Sequence, residues 1–301
     1  MDTLSFTGRA VVVTGAGRGI GRAHALLLAS RGASVVVADL GARVDGGGVD
    51  GDDPAGDVVA EIRAAGGRAV ACRADISTES GAAEVVGTAV TEFGRLDAVI
   101  NNAGIVRTAR FDEVDTREYQ RHLDVHFFGS LNVCKAAWPH LIASGSGRVV
   151  NTVSAAMLGN PLMTHYGSSK GAVFGLTRNL ALEGAEHGIL VNAVAPGAGT
   201  RMAESSAESL APEVMEYLRT QLLPEHVAPL AAYLVHPSCM VTGELFNAAG
   251  GTVNRAVVVT TTGIHDPGLT VETVAERFGE VMALTPEARP ELVAVPQLPT
   301  A

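Results

Sequence analysis

Tyr166-Gly-Ser-Ser-Lys170 falls where a helical apolar pattern begins, carried by Tyr166, Ala172, Val173, Leu176 and Leu180. Residues four apart on a helix share a face, so the phenol and the ammonium can point the same way. A free phenol titrates near ~10, and a fixed positive charge beside it favours the phenolate. The pair therefore predicts a general base that works near neutral pH on a substrate hydroxyl. Ser154 precedes the tyrosine by a strand-to-helix loop and is expected to hold the same oxygen. Chance explains the pair poorly. Only two of the 22 basic residues are lysines, Lys135 and Lys170, and with four tyrosines an accidental Tyr-x-x-x-Lys is expected at roughly 3%. A lysine kept where arginine is the default points to a need for a compact ammonium.

Such a pair needs a frame, and the frame is legible from the start of the chain. Residues 9–14 (RAVVVT) form a short apolar run rich in β-branched side chains, the pattern of a buried parallel strand. The run leads into Gly15-Ala-Gly17-Arg18-Gly19-Ile20-Gly21 and then an Ala/Leu-rich helix to about Ser30. Strand, glycine turn and helix are the context of a phosphate-binding loop, in which backbone approaches a pyrophosphate and the helix N-terminus attracts it. The next strand, residues 34–38, ends in Asp39 some twenty residues after the glycines. A carboxylate there suits the ribose hydroxyls of NAD and repels the 2′-phosphate of NADP. Arg18 beside the loop pulls the other way, but the acid lies closer to that group, so NAD is favoured over NADP.

The alternation continues. Helices are expected at residues 54–65, 78–93, 115–143, 203–222 and 224–235 besides the one that starts at Tyr166, and strands at 68–73, 96–100, 147–153, 189–194 and 244–248. Several strands end in small or polar residues at one edge: Asp75-Ile76, Asn101-Asn102-Ala103-Gly104, Ser154, and Pro196-Gly197-Ala-Gly199-Thr200. Ligands bind at such carboxyl edges in open α/β sheets. The glycine-rich acidic segment 41–56 contains no register of a calcium loop and reads as a solvated loop, so no metal site is expected. Met202, Met215, Tyr217 and Leu218 would suit either a lid over an apolar substrate or ordinary core, and Arg107, Arg110 and Arg201 are the candidates for binding phosphates. No linker divides residues 1–254, read as one domain. Residues 255–301 are read as an extension, with a small strand near 256–262 and an amphipathic helix at 271–283, packed on the domain or on a neighbouring subunit.

The bulk numbers bound the function. A chain of 301 residues, 47% hydrophobic and only 4% aromatic, can bury a core of Ala, Val and Leu. A net charge of −10 without basic runs argues against a nucleic-acid surface. Three widely spaced cysteines lack zinc spacing and fit a reducing compartment, and the N-terminus has no signal-like pattern, so a cytoplasmic protein is expected. Nothing approaches the ~20 apolar residues of a membrane span, so no membrane partner is expected.

Taken together, Thr14-Gly-x-x-x-Gly-x-Gly21, Asp75, Asn101-Asn-Ala-Gly104, Ser154, Tyr166-x-x-x-Lys170 and Pro196-Gly197 resemble the short-chain dehydrogenase/reductase family over about residues 5–255. The resemblance implies a doubly wound parallel α/β sheet of Rossmann type, a bound NAD(P), a homodimer or homotetramer, and alcohol/ketone interconversion. It also implies roles: Tyr166 as acid/base, Ser154 on the substrate oxygen, and Lys170 on the nicotinamide ribose. A narrower resemblance lies in Asp39-Leu-Gly, Val125-His126, Leu182-Glu-Gly184, Ala195 to Met202 and Pro224 to Leu230. These are similar to the (3R)-hydroxyacyl-CoA dehydrogenase domain of the peroxisomal multifunctional β-oxidation enzyme. It implies a 3-hydroxyacyl-CoA substrate, with a hydroxysteroid or other alicyclic alcohol as the alternative and a non-catalytic NAD-binding protein as a further one. Two positions depart from the family pattern. His126 stands where Asn is usual, leaving its side chain catalytic, supporting or merely packed, and the Ser154–Tyr166 interval is one residue shorter than the common one.

Overall fold

A computed structural model describes residues 3–48, 51–204, 211–285 and 288–290. Strands β1 (Ala10–Thr14), β2 (Ser34–Ala38), β3 (Arg68–Cys72), β4 (Ala98–Asn101), β5 (Arg148–Thr152), β6 (Leu190–Gly197), β7 (Leu245–Ala249) and β8 (Thr252–Ala256) form one sheet in the order 3-2-1-4-5-6-7-8. Strands β1 to β7 pair in parallel. The continuous apolar runs have the reason expected of a sheet covered on both faces. Val11, Val13, Val35 and Val37 face one core with helices α1 (Gly19–Ser30), α2 (Pro54–Ala64) and α9 (Ala228–Val235). Their neighbours Val12 and Val36 face the other core with α3 (Glu79–Phe93), α5 (Gly129–Ala143) and α6 (Thr164–Ala185). Side chains alternate along a strand, so each short run supplies both cores.

Three features depart from the expected elements. Strand β8 runs antiparallel to β7 after the Gly250-Gly251 turn, so the sheet is mostly rather than wholly parallel. All of Thr252–Ala256 is exposed or half-buried, which removes the apolar run that marks the other strands. The helix expected over residues 115–143 is divided: α4 (Thr116–Leu123) passes through a five-residue π turn, Asp124–Phe128, into α5. The segment expected as one helix from 203 to 222 contains α7 (Arg201–Glu204) and α8 (Pro212–Gln221), and residues 205–210 lie outside those described. Beyond the sheet, β9 (Val259–Thr260) pairs with β10 (Arg289–Pro290), and α10 (Val271–Met282) is capped by the Thr270 side chain on the Thr273 N–H. Among the described residues, no helix is long and apolar enough to cross a membrane.

Candidate active site

The strand order reverses between β1 and β4, and their carboxyl ends open a crevice there, where open α/β sheets take ligands. The crevice is a cavity of about 470 Å³, within the usual range for small-molecule sites. Gly15 closes one wall: a Cβ at that position would lie 2.7 Å from the Ala103 Cα. A Cβ on Gly21 would run into the Gly15 carbonyl, so both residues must be bare for loop and helix to meet. The N-terminus of α1 has no side-chain cap and no acid in its first turn, leaving its backbone N–H groups suited to an anion. Asn102 ties the second wall to the first. Its amide nitrogen donates to the carbonyls of Thr14 (3.0 Å) and Gly15 (3.2 Å), while the Thr14 hydroxyl accepts the N–H groups of Asn102 and Ala103.

Asp39, at the end of β2, lies in the cavity wall with its carboxylate fixed by the N–H groups of Gly17 and Gly41, both at 2.8 Å. Arg18 turns toward the Asp52 carboxylate at 3.1 Å. Asp75 and Ile76 also line the wall, where the Asp75 side chain accepts the Ser77 N–H. The loop read from sequence as solvated contributes a wall of its own, a correction to that reading. Ala42, Arg43, Val44 and Gly46 line the cavity, and the Val106 N–H donates to the Val44 carbonyl at 2.9 Å. The signal lay in Val44, an apolar residue in an acidic stretch.

Tyr166 and Lys170 enter from α6, where the sequence puts them one turn apart. Lys170 is 3% exposed and donates from Nζ to the Thr152 carbonyl at 2.8 Å, and burial lowers its pKa to about 7. Its nitrogen is 5.8 Å from the Tyr166 ring centre. Desolvation pushes the Tyr166 phenol up, and a hydrogen bond with Ser154 pulls it down. The sequence argument, based on charge alone, predicted a net lowering. The sign differs because burying a phenolate costs more than the neighbouring groups return. The Ser154 hydroxyl also accepts the Ala156 N–H and caps the short 3₁₀ turn Ala155–Leu158.

His126 sits in the cavity wall at 1% exposure with both ring nitrogens committed. Nε2 accepts the Ile105 N–H at 3.0 Å, and Nδ1 lies 2.7 Å from the Ser169 hydroxyl. Two more buried histidines, missed in the sequence, surround it. His122 meets His165 edge-on at 4.6 Å between centres, and His126 meets the Tyr166 ring at 5.4 Å and 89°. Each donates a ring N–H to a carbonyl, His122 to Glu118 and His165 to Arg107, both at 2.8 Å. The clue was spacing: His122 lies one helical turn before His126, and His165 adjoins the tyrosine.

The structure gathers Gly15, Arg18, Gly19, Ile20, Asp39, Asp75, Ile76, Asn102, Ala103, Gly104, His126, Tyr166, Lys170, Pro196 and Thr200 around one cavity. Gly17, Gly21, Gly197, Gly199 and Ser154 sit just behind the lining residues. Gly197 packs on Ala249 and Gly199 on the Leu218 carbonyl, while the Ser154 hydroxyl meets the phenol of Tyr166, which lines the cavity. Of the basic candidates, Arg201 lines the cavity with Met202, whereas Arg107 pairs with Glu118 and Arg110 with Asp112 and Glu113. Tyr217 on α8 is 55% exposed.

Comparison with known proteins agrees with this arrangement. The family model described as short chain dehydrogenase matches residues 9–211. A short-chain type dehydrogenase/reductase of Mycobacterium tuberculosis is 44% identical over 92% of this chain and 95% of its own. The peroxisomal multifunctional enzyme type 2 of Mus musculus is 38% identical over 96% of this chain but only 39% of that longer protein. Among solved structures, a 7α-hydroxysteroid dehydrogenase complexed with NADH and 7-oxo glycochenodeoxycholic acid superposes with a TM-score of 0.73 at 32% identity, covering 83% of this chain and 98% of that one. With the sheet order, the crevice and the family match in agreement, the chain belongs to the short-chain dehydrogenase/reductase family, and it is an oxidoreductase acting on CH–OH groups.

Proposed function

We propose that this enzyme oxidises a secondary alcohol with NAD, or reduces the ketone in reverse, with Tyr166 as general acid/base. The observation that carries the proposal is the convergence of the glycine loop, Asp39, Tyr166 and Lys170 on one cavity. The residues present fit the dinucleotide: bare glycines and the α1 N-terminus for the pyrophosphate, Asp39 for the adenosine ribose, and Asp75 and Ile76 for the adenine. Residues 102–104, Pro196 and Thr200 then flank the nicotinamide end. The Arg18–Asp52 pair supports NAD over NADP, because the guanidinium nearest the loop already faces a carboxylate. When bound, the nicotinamide supplies the acceptor for hydride.

The chain's own groups handle the proton. Tyr166 as phenolate takes the alcohol proton, the Ser154 hydroxyl hydrogen-bonds the substrate oxygen, and Lys170 as ammonium supports the phenolate and holds the nicotinamide ribose. Since burial raises the phenol, oxidation needs mildly alkaline pH to charge it, and the phenolate so formed favours the ammonium form of Lys170 beside it, against the lowering that burial alone causes. For substrate we infer a 3-hydroxyacyl-CoA, on the similarity to the peroxisomal multifunctional enzyme and the apolar Met202 beside the cavity. The likeness to a hydroxysteroid dehydrogenase favours a second reading, an alicyclic alcohol.

We further infer a homodimer or homotetramer, supported by the exposed apolar residues Val253, Val257, Phe278 and Met282 on the extension beyond residue 251. The three cysteines are free and buried, which supports a reducing compartment, here taken as the cytoplasm. The test is NAD against NADP reduction at mildly alkaline pH, with a panel of 3-hydroxyacyl-CoAs and hydroxysteroids. Turnover with NAD on an acyl-CoA is expected. Turnover restricted to NADP would overturn the reading of Asp39.

A further inference from the structure

Helix α4 does not continue straight into α5. Its π turn closes with the Gly129 N–H on the Asp124 carbonyl, and it delivers His126 into the seam between the loop after β4 and the first turns of α6. π turns of this kind often lie at functional sites. The ring there makes two hydrogen bonds whose direction is fixed by its partners. A backbone N–H can only donate, so the Ile105 N–H leaves His126 Nε2 as the acceptor, at 3.0 Å. The Ser169 hydroxyl donates its single hydrogen to the Tyr166 carbonyl at 2.7 Å. It therefore accepts from His126 Nδ1, also at 2.7 Å. The result is one unbranched chain from the Ile105 N–H through His126 and Ser169 to the Tyr166 carbonyl.

That polarity settles what the ring does. A proton added to Nε2 would face the Ile105 N–H, and burial with Lys170 and His122 nearby opposes the charge further. The groups facing the ring are Lys170, Tyr166 and Ser169 from α6, His122 from α4, and Ile105 from the loop. None of them is a carboxylate that would stabilise an imidazolium. The ring is also tightly enclosed, since a Cβ on Gly104 would lie 3.1 Å from Nε2. Its own carbonyl accepts the Ser130 hydroxyl at 2.6 Å, which anchors the π turn to α5.

We propose that His126, acting through Ser169, is a positioning residue that fixes the spacing between the cofactor-side loop at residues 103–105 and the turn of α6 bearing Tyr166 and Lys170. It is a neutral brace and not a proton carrier. The inference rests on the reading of Tyr166 as the acid/base. His126→Asn keeps an acceptor for Ile105 but is too short to reach Ser169 as well. Ser169→Ala removes only the hydroxyl in the middle of the chain, and it keeps the test open should the histidine variant fail to fold.

The experiment compares wild type, His126→Asn, Ser169→Ala, the double variant and Tyr166→Phe for kcat, KM, calorimetric NAD affinity and the pH profile of oxidation. Each single variant is expected to lose about tenfold in kcat with NAD affinity within about twofold. The alkaline limb should move to higher pH as the phenol loses its fixed place beside Lys170. The double variant should lose no more than either single, because both break one chain. Wild-type kcat and an unmoved limb in Ser169→Ala, with Tyr166→Phe inactive, overturn the positioning role alone. Additive losses also overturn it. Retained turnover in Tyr166→Phe overturns the acid/base reading and this inference with it.

Discussion

The two halves of the cavity are built from different materials. On the side of β1, β2 and β4 the wall is backbone: bare glycines, helix N–H groups and the amide of Asn102 stapling two loops together. On the side of α6 and the π turn it is side chain: a buried lysine, a phenol and His126, with the buried rings of His122 and His165 close by. Backbone binds a polyanion through many small dipoles that exist whatever the pH. Buried ionisable side chains supply a proton at one point, and each costs stability because the interior disfavours its charged form. On the proposed function, the first half serves affinity and the second reactivity.

Changes that separate the halves test the contrast. The largest effect expected is Tyr166→Phe, which should lower turnover about 10³-fold or more and leave NAD affinity unchanged in calorimetry. Next comes acid. His24 on α1 and His122 on α4 are buried neutral with pKa values lowered to about 4, against 6.5 when free. Their stability contribution is complete above pH 6.5 and is lost as pH falls toward 4, because the unfolded chain binds the protons first. Up to about 3 kcal/mol for each ring should disappear in denaturant titrations across that window. Asp39→Ser should leave the reactive half intact and shift the ratio of NAD to NADP affinity by about 2 kcal/mol toward NADP.

Lys170→Met should do the reverse of a usual core lesion. Burial lowers the pKa of the group from 10.5 to about 7, so its burial is a penalty at neutral pH. The variant should be inactive yet more stable by about 1 to 2 kcal/mol, seen as a raised Tm; a lowered Tm would show that the bond to the Thr152 carbonyl outweighs desolvation. The smallest effect belongs to Ser154→Ala. The hydroxyl lowers the phenol, so its loss should move the alkaline limb of kcat to higher pH, read from the pH profile of oxidation.

The same contrast explains what the amino-acid sequence revealed. The parallel strands were legible because each is an apolar run covered on both faces, and the glycine loop because its spacing answers a backbone constraint. The antiparallel β8 was not, since Thr-Val-Asn-Arg-Ala on an exposed edge has no period to detect. The π turn was hidden because an apolar stripe at helical spacing is the same for α and π until the hydrogen bonds are known. Tyr166 and Lys170 were found from their spacing, but the direction of the phenol's shift was not, because depth of burial is a tertiary property. His122 and His165 went unnoticed, because only the packing of α4 on α6 brings them together.

The π turn also makes chain length itself a functional variable. Its ring spans one residue more than that of an α turn, so it stores an inserted residue inside a continuous helix. Excising any one of the five residues would let the ladder close as plain α-helix. Everything on the N-terminal side would then turn by about 100° relative to α5. Tyr119, whose hydroxyl meets Thr164, and His122 would swing away from α6 together. A deletion here would thus leave a well-formed helix and a scrambled site. Indel tolerance along this chain should drop at residues 124–128, even though neither end of the helix marks the place.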